Sequence, residues 1–170
     1  AECSELITVE MPNVKTLRES AFAGCTELKS VTLPNVLTLG ASAFAGCTEL
    51  ESVKMPKVLT LGESAFAECS KLTNVILHTV ETIGQNAFAE CITLESVTLP
   101  KVKTIGESAF DGCVALTTVN MPNVETIGDW AFDGCTELKS VNMPDDAYSA
   151  YIDWNGITLK RPHPNPALRF

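Results

Sequence analysis

The chain has 170 residues, of which 45% are hydrophobic and 19% are charged, and its formal net charge is −9. No apolar stretch approaches the roughly 20 residues that a membrane-spanning helix needs, so we predict no membrane insertion. The acidic balance argues against a nucleic-acid partner, because phosphate contacts need clustered Lys and Arg. We interpret acidic residues that recur at fixed positions, such as Glu27, Glu49 and Glu137, as a solvated acidic edge.

A repeat runs through most of the sequence. Seven cysteines return at intervals of 22 residues without an insertion, and Leu follows three places after each of them and Val six places after. A fixed period of this length predicts a solenoid, in which each unit buries its apolar face only against its neighbours. The cysteines are Cys3, Cys25, Cys47, Cys69, Cys91, Cys113 and Cys135.

The repeat divides the chain into two regions. We predict an array of seven units over residues 1–144, followed by a C-terminal cap and a proline-rich tail over residues 145–170. The first unit is expected to be cut at its start, because Ala1-Glu2-Cys3 aligns with Ala67-Glu68-Cys69 in a later unit.

The first half of one unit predicts a strand. Val31 and Leu33 point inward, and the polar residues that alternate with them face solvent, as in a half-buried strand. Pro34 then ends the strand because it has no N–H to donate. One such strand is expected in every 22-residue turn of the solenoid, which we call a rung.

The second half of the unit predicts a shorter extended segment and a helical turn. Val36 and Leu39 are the inward residues of the segment, and Gly40 is expected to release the backbone into a turn. Ser42 is predicted to cap a helical turn of three residues, 43–45. Rungs of this kind stack about 4.8 Å apart and form ladders of identical inward side chains.

The recurring cysteine is predicted to be a buried free thiol, packed between Phe44 of its own turn and Leu50 of the next strand in the case of Cys47. Stacked side chains on parallel strands point the same way instead of facing each other, which disfavours disulfides. A straight ladder also lacks the tetrahedral set of ligands that a metal needs, so we predict no metal site.

Residues Leu94 to Cys113 read LESVTLPKVKTIGESAFDGC, and this pattern resembles the BspA-like leucine-rich repeats of surface and secreted proteins of bacteria and some protists. The resemblance implies an arc-shaped α/β solenoid of short parallel strands and short helical turns, with a parallel sheet on its concave face. It further implies a longer array that binds proteins or mediates adhesion, in an extracellular or cell-surface location. Two departures from the family are a shorter "PxVxT" loop and the lack of an inward Asn ladder.

We predict that the chain is not an enzyme and binds no cofactor. The recurring Ser and Cys positions have no base within reach to activate a nucleophile. His78 stands where other units have proline and is interpreted as a turn residue, and His163 lies in the tail. Asp145 and Asp146 are interpreted as part of the cap rather than as an acid–base pair.

Recognition of a protein ligand or a cell-surface component is the better-supported function, because a solenoid displays one residue per rung at fixed spacing. The most variable outward position lies seven residues after each cysteine, and Ile76 is its one apolar member. An ordinary solvated sheet face explains the same position equally well. Leu37 and Leu59 form a second candidate patch. The predicted partner-binding residues are Glu10, Thr32, Lys54, Ile76, Thr98, Asn120 and Asn142.

The two ends of the array lead to an alternative function. Tyr148, Tyr151 and Trp154 are predicted to cap the last rung, and residues 157–159 to add a final strand. The first rung would instead expose strand edges and apolar residues such as Leu6 and Val9, which favour association. The alternative is therefore a structural subunit that associates end to end through its N-terminal rung.

Overall fold

The computed structural model describes residues 3, 5–144 and 147, together with the backbone of residues 158–160. These residues form fourteen short strands, two in each complete rung. The longer strands are β1 Thr8–Glu10, β3 Ser30–Thr32, β5 Ser52–Lys54, β7 Asn74–Ile76, β9 Ser96–Thr98, β11 Thr118–Asn120, β13 Ser140–Asn142 and β14 Thr158–Lys160. The shorter strands are β2 Thr16–Leu17, β4 Thr38–Leu39, β6 Thr60–Leu61, β8 Thr82–Ile83, β10 Thr104–Ile105 and β12 Thr126–Ile127.

Every described strand pair is parallel, and wherever two strands of the repeat pair, each residue lies opposite the one 22 positions away. Val9 lies opposite Val31, and Leu17 lies opposite Leu39. The shorter strands form one six-stranded sheet, which we call the second sheet. The longer strands form a three-stranded sheet, β1-β3-β5, and a five-stranded sheet, β7-β9-β11-β13-β14. The molecule is therefore a parallel β-solenoid.

The last strand, β14, extends this pattern beyond the repeat. It pairs with β13 in parallel, and Leu159 lies opposite Val141. The predicted final strand is thus confirmed at residues 158–159, and it ends at Lys160. Ile157, the aromatic cap residues and the proline-rich tail lie outside the described residues.

Identical inward side chains stack along the axis as predicted. The rings of successive phenylalanines lie 5.3 to 5.4 Å apart, centroid to centroid, and are nearly parallel. Leu, Val, Ala and Cys form further buried ladders, and the described buried residues include no polar or charged side chain. The core is a column of repeated contacts, since each apolar residue packs on its counterpart in the next rung. The stacked phenylalanines are Phe22, Phe44, Phe66, Phe88, Phe110 and Phe132.

The prediction of short helical turns, and with it the α/β class, is wrong, because the described residues contain no helix. Ser42 has a φ of 54° and does not cap a helix. The backbone N–H groups of Ser42, Phe44 and Gly46 donate to carbonyl oxygens of the next rung, at 2.7 to 2.8 Å. Alternate N–H groups of this segment are thereby used between rungs, and they are not available for a helix.

The reason predicted for the glycine at position 40, conformational freedom of the backbone, is also wrong. The φ of Gly40 does not lie in the left-handed region, so freedom of the backbone does not select glycine there. A Cβ on Gly40 would lie 2.5 Å from the backbone nitrogen of Glu19 in the preceding rung. The close approach of two rungs therefore excludes any side chain at this position.

Candidate interaction surface

The seven predicted partner-binding residues occupy the last position of the seven longer strands from β1 to β13, as Ile76 does in β7. Glu10, Thr32 and Lys54 are neighbours in register in the three-stranded sheet. The other four are neighbours in register in the five-stranded sheet. We call the outward first and last residues of β1, β3, β5, β7, β9, β11 and β13 the strand face. The structure thus places the predicted residues in one row of this face.

The strand face is interrupted between β5 and β7. The sheets of longer strands separate here, because β5 and β7 are not paired among the described strands. After β1, β3, β9 and β11 the following residue donates to the next rung, as Leu33 N–H does to the Lys54 carbonyl at 2.9 Å, whereas after β7 no such bond joins Leu77 to Thr98 within the described residues. The equivalent bond from Met55 to Ile76 is not formed within the described part of the chain. The interruption falls at the unit in which Ile76 replaces a polar residue and His78 replaces proline.

The two sides of this interruption differ in charge. The outward residues of the first three longer strands include Glu10 and Lys54. Those of β7, β9, β11 and β13 carry no charge, and we call them the neutral sector. Two side-chain hydrogen bonds cross its rungs, from Asn142 Nδ2 to Asn120 Oδ1 at 2.7 Å and from Ser96 Oγ to Asn74 Oδ1 at 3.5 Å. The neutral sector consists of Asn74, Ile76, Ser96, Thr98, Thr118, Asn120, Ser140 and Asn142.

Ile76 is the apolar residue of the neutral sector and is 65% exposed, whereas Val75 beside it is 5% exposed. An isoleucine this accessible contributes little to the packing of the core. Leu37 and Leu59, which follow the "PxV" corner on adjacent rungs, are also exposed, as the sequence suggested. Both lie off the strand face, directly before strands of the second sheet.

Four exposed apolar residues escaped the sequence analysis as candidate sites. Ile7, directly before β1, is 56% exposed. Ile92 and Val114 are exposed on adjacent rungs at the position that follows the cysteine. Other units have Ser or Thr there, so the deviation was a readable signal. Trp130 is half exposed, with a φ of 53°, at a position that is Ser or Asn in the preceding units.

One group of acidic residues lies around the turn segment that contains the "AF" pair, whereas Glu95 directly precedes β9. Asp111 lies in the turn segment beside Asp133, and partial burial together with that neighbouring carboxylate raises the pKa of Asp111. Glu27, Glu49 and Glu137, for which the sequence predicts an acidic edge, lie outside this segment, two residues after a cysteine. The other carboxylates of the segment and its flanks are Glu19, Glu63, Glu68, Glu90, Glu107 and Asp129.

None of the seven cysteines forms a disulfide, and six of them are buried, which confirms the predicted thiol ladder. Each of the last five donates its thiol proton to a phenylalanine carbonyl of the preceding rung, as Cys69 does to Phe44 at 3.2 Å. Burial raises the pKa of Cys47 to about 11 and that of Cys135 to about 12. The six buried thiols are therefore protonated near neutral pH and are poor nucleophiles. Sequence reasoning missed the hydrogen bond, because it depends on where the carbonyl of another rung points.

Other chemical features of the described residues are few. His78 lies in an exposed turn, as predicted. No group of three or more His, Cys, Asp or Glu side chains within the described ranges is placed to hold a metal ion. A shallow groove of about 320 Å³ lies at the corner before the second sheet, between Lys101 and Glu125. None of the described residues forms a helix that is long and apolar enough to cross a membrane.

Parallel strands, a fixed 22-residue rung and ladders of Leu, Val and Phe together define a leucine-rich-repeat type of β-solenoid. The model of the BspA type leucine rich repeat region, in six copies, matches residues 1–113 and 60–153. The chain belongs to this family. No curated protein matches the sequence.

Three solved structures from bacteria are similar to the chain. A leucine-rich repeat protein from Bacteroides ovatus is 32% identical, with a TM-score of 0.79 over 93% of this chain and 43% of that one. A leucine-rich cell surface protein from Faecalibacterium prausnitzii is 28% identical, with a TM-score of 0.71 over 84% and 48% of the two chains. A leucine-rich repeat protein from T. pallidum is 29% identical, with a TM-score of 0.59 over 78% of each chain. The chain thus spans less than half the length of the first two.

Proposed function

We propose that the chain is a non-enzymatic protein-interaction module of a cell-surface or secreted protein, and that it binds a protein ligand through the strand face. The observation that carries the proposal is the 65% exposure of Ile76 within a row of polar residues. Family membership supports an interaction role, and the name of the F. prausnitzii protein supports a surface location.

Ile76 has the properties of an anchor for a partner. An exposed apolar side chain releases ordered water when a partner covers it, and a side chain of this size contributes about 1.5–3 kcal/mol when fully buried. Anchors of this kind typically lie near the centre of an interface and are surrounded by residues of smaller energetic effect. Three longer strands precede β7 along the face and three more repeat strands follow it, so Ile76 occupies such a central place.

The neutral sector defines the chemistry of the partner. Hydroxyl and amide groups cost less to desolvate than charged groups do, and they both donate and accept hydrogen bonds. A protein surface with an apolar pocket and neutral hydrogen-bonding groups around it is the complementary ligand. Lys54 is the counterpart of Ile76 one rung earlier, so the affinity is expected to depend on salt, but less than that of an interface based mainly on charge.

Binding to an array of purified secreted and cell-surface proteins tests the proposal. The full chain is compared with Ile76→Asp and with the matched control Leu59→Asp, which changes an exposed apolar residue off the strand face. A true ligand is expected to bind Ile76→Asp at least about tenfold more weakly and to bind the control as well as the original chain. Ligands that tolerate Ile76→Asp but lose binding to Leu59→Asp would contradict the proposal.

The alternative function is end-to-end association through the first rung. Val9, Leu17 and Phe22 are apolar residues of that rung, and β1 pairs with β3 alone among the described strands. Edges of this kind promote pairing between chains unless something covers them.

A further inference from the structure

Five glycines occupy one corner of successive rungs, directly after the strands of the second sheet. Each donates its N–H to the preceding rung, as Gly40 does to the Leu17 carbonyl at 2.8 Å. A Cβ built on each of them points the same way, into the backbone of that preceding rung. The five are Gly40, Gly62, Gly84, Gly106 and Gly128.

The distances leave no space for a side chain. The built Cβ would lie 2.5 Å from the Gln85 nitrogen at Gly106 and 2.7 Å from the Ala41 nitrogen at Gly62. Real Cβ atoms essentially never approach other heavy atoms closer than 3.0 Å. Any residue other than glycine at this corner therefore destabilises the stacking of a rung on its N-terminal side, because the two backbones must move apart.

Arg18 holds the same corner position in the first rung, directly after β2. The corner has the same geometry as the later ones, because Leu17 pairs with Leu39 and Ser20 N–H donates to the Ala41 carbonyl at 2.8 Å. The Cβ of Arg18 consequently points away from β4, toward the place where another rung would lie. Arg18 is also exposed, so its charged end stands in water at this edge.

We propose that Arg18 blocks the N-terminal edge of the second sheet against any rung of the same geometry, including a rung of a second copy of this chain. The Cβ of Arg18 excludes the backbone of the incoming rung, and its charge would be desolvated by the contact. Charged residues at sheet edges prevent pairing between chains in this way. The inference goes beyond the proposed ligand binding and opposes the end-to-end alternative.

A lengthened chain tests the steric part of the proposal directly. A copy of residues 25–46 replaces Ala1 and Glu2, so that the added unit ends just before Cys3 and keeps the 22-residue period. Three versions of the lengthened chain are compared: one keeps Arg18, one carries Arg18→Gly and one carries Arg18→Ala. The alanine form removes the charge but keeps the Cβ, and it is therefore the matched control.

Amide hydrogen exchange, followed by mass spectrometry, reports whether the added unit stacks. We expect its longer strand to exchange at least about tenfold more slowly in the Arg18→Gly form than in the other two. Equal protection in the Arg18 and Arg18→Gly forms would overturn the proposal. So would an added unit that stays unprotected in all three, because another feature would then block the edge.

Light scattering on the unmodified chain gives a second, independent measurement. We expect a constant molar mass over a dilution series, because Arg18 prevents a second copy from stacking. A mass that rises with concentration and returns to that of a monomer with Val9→Asp would overturn the proposal and support end-to-end association.

Discussion

Inward and outward residues of the same strands follow different rules. In β7, Val75 is 5% exposed and has valine as its counterpart in both adjacent rungs, while Ile76 is 65% exposed and lies between Lys54 and Thr98 in the repeat. An inward side chain must fit the identical side chain one rung away, whereas an outward one meets solvent. The uniform positions therefore build the solenoid, and the deviating ones distinguish this chain from a generic array.

The largest expected effect comes from breaking the phenylalanine stack at its centre. Phe88 packs between Phe66 and Phe110, with ring centroids 5.4 and 5.3 Å away, and is fully buried. Phe88→Ala should lower the free energy of unfolding by about 3–5 kcal/mol, since it removes contacts on both sides and leaves a cavity. Urea unfolding followed by circular dichroism measures the loss.

Phe22→Ala is the matched control, because Phe22 is at the edge of the stack and packs on one ring only. Phe22→Ala should lower the free energy of unfolding by clearly less than Phe88→Ala does. Equal losses for Phe22→Ala and Phe88→Ala would show that stacking between rungs does not dominate the stability of the core.

The second effect concerns the corner glycines. Gly84→Ala should destabilise the chain by about 1–3 kcal/mol, because its Cβ would lie 2.7 Å from the backbone of Gly62 and push the two rungs apart. Thermal unfolding measures the change. Gly24→Ala is the comparison, since nothing lies within 4 Å of its built Cβ and its cost therefore reports only the backbone strain of its φ of 71°.

A third prediction contrasts the buried thiols with Cys3. At pH 8, iodoacetamide should modify half-buried Cys3 first and leave Cys69 unmodified, because burial raises the pKa of Cys69 well above its usual value of 9.0. Peptide mass spectrometry measures the extent of modification at each site. The control is the urea-unfolded chain, in which all the cysteines should react. Rapid modification of Cys69 in the folded chain would contradict the buried ladder.

The same thiols make stability depend on pH. The pKa of Cys47 is raised from 9.0 to about 11 in the folded chain, so the folded state holds its proton more tightly than the unfolded state does. This contribution to stability is complete below pH 9 and is lost as pH rises toward 11. The urea concentration at the midpoint of unfolding should therefore fall between pH 9 and pH 11. A Cys47→Ala chain should show a smaller fall, and an identical fall in both chains would assign the pH dependence to other groups.

The smallest expected effect on stability is that of a substitution at Ile76, in β7. Ile76→Asp should change the free energy of unfolding by less than about 0.5 kcal/mol, because the side chain faces solvent. Val75→Ala, one residue away, should cost about 2 kcal/mol. A large loss of stability for Ile76→Asp, measured by thermal unfolding, would show that the outward row has a structural role and would weaken the proposed binding surface.

Residue patterns alone placed most of the scaffold. The period of 22 residues predicted the register of strands such as β3 and β4, since residues one period apart must be neighbours in a stack. Alternation of apolar and polar residues predicted which side of each strand is buried. The buried thiols and the exposure of Ile76 followed from the same reasoning.

Other features could not be read from local propensity. A serine before an Ala-Phe-Ala run is a reasonable helix cap, yet Ser42 adopts a φ of 54° because N–H groups of this segment bond to the next rung. The thiol hydrogen bonds and the interruption between β5 and β7 likewise depend on the relative position of two rungs. Sequence alone determined the rung, its register and its inward residues, because periodicity encodes which residues are neighbours. Only the tertiary structure decided the turn conformation and the need for the corner glycines, because these depend on how closely two backbones approach.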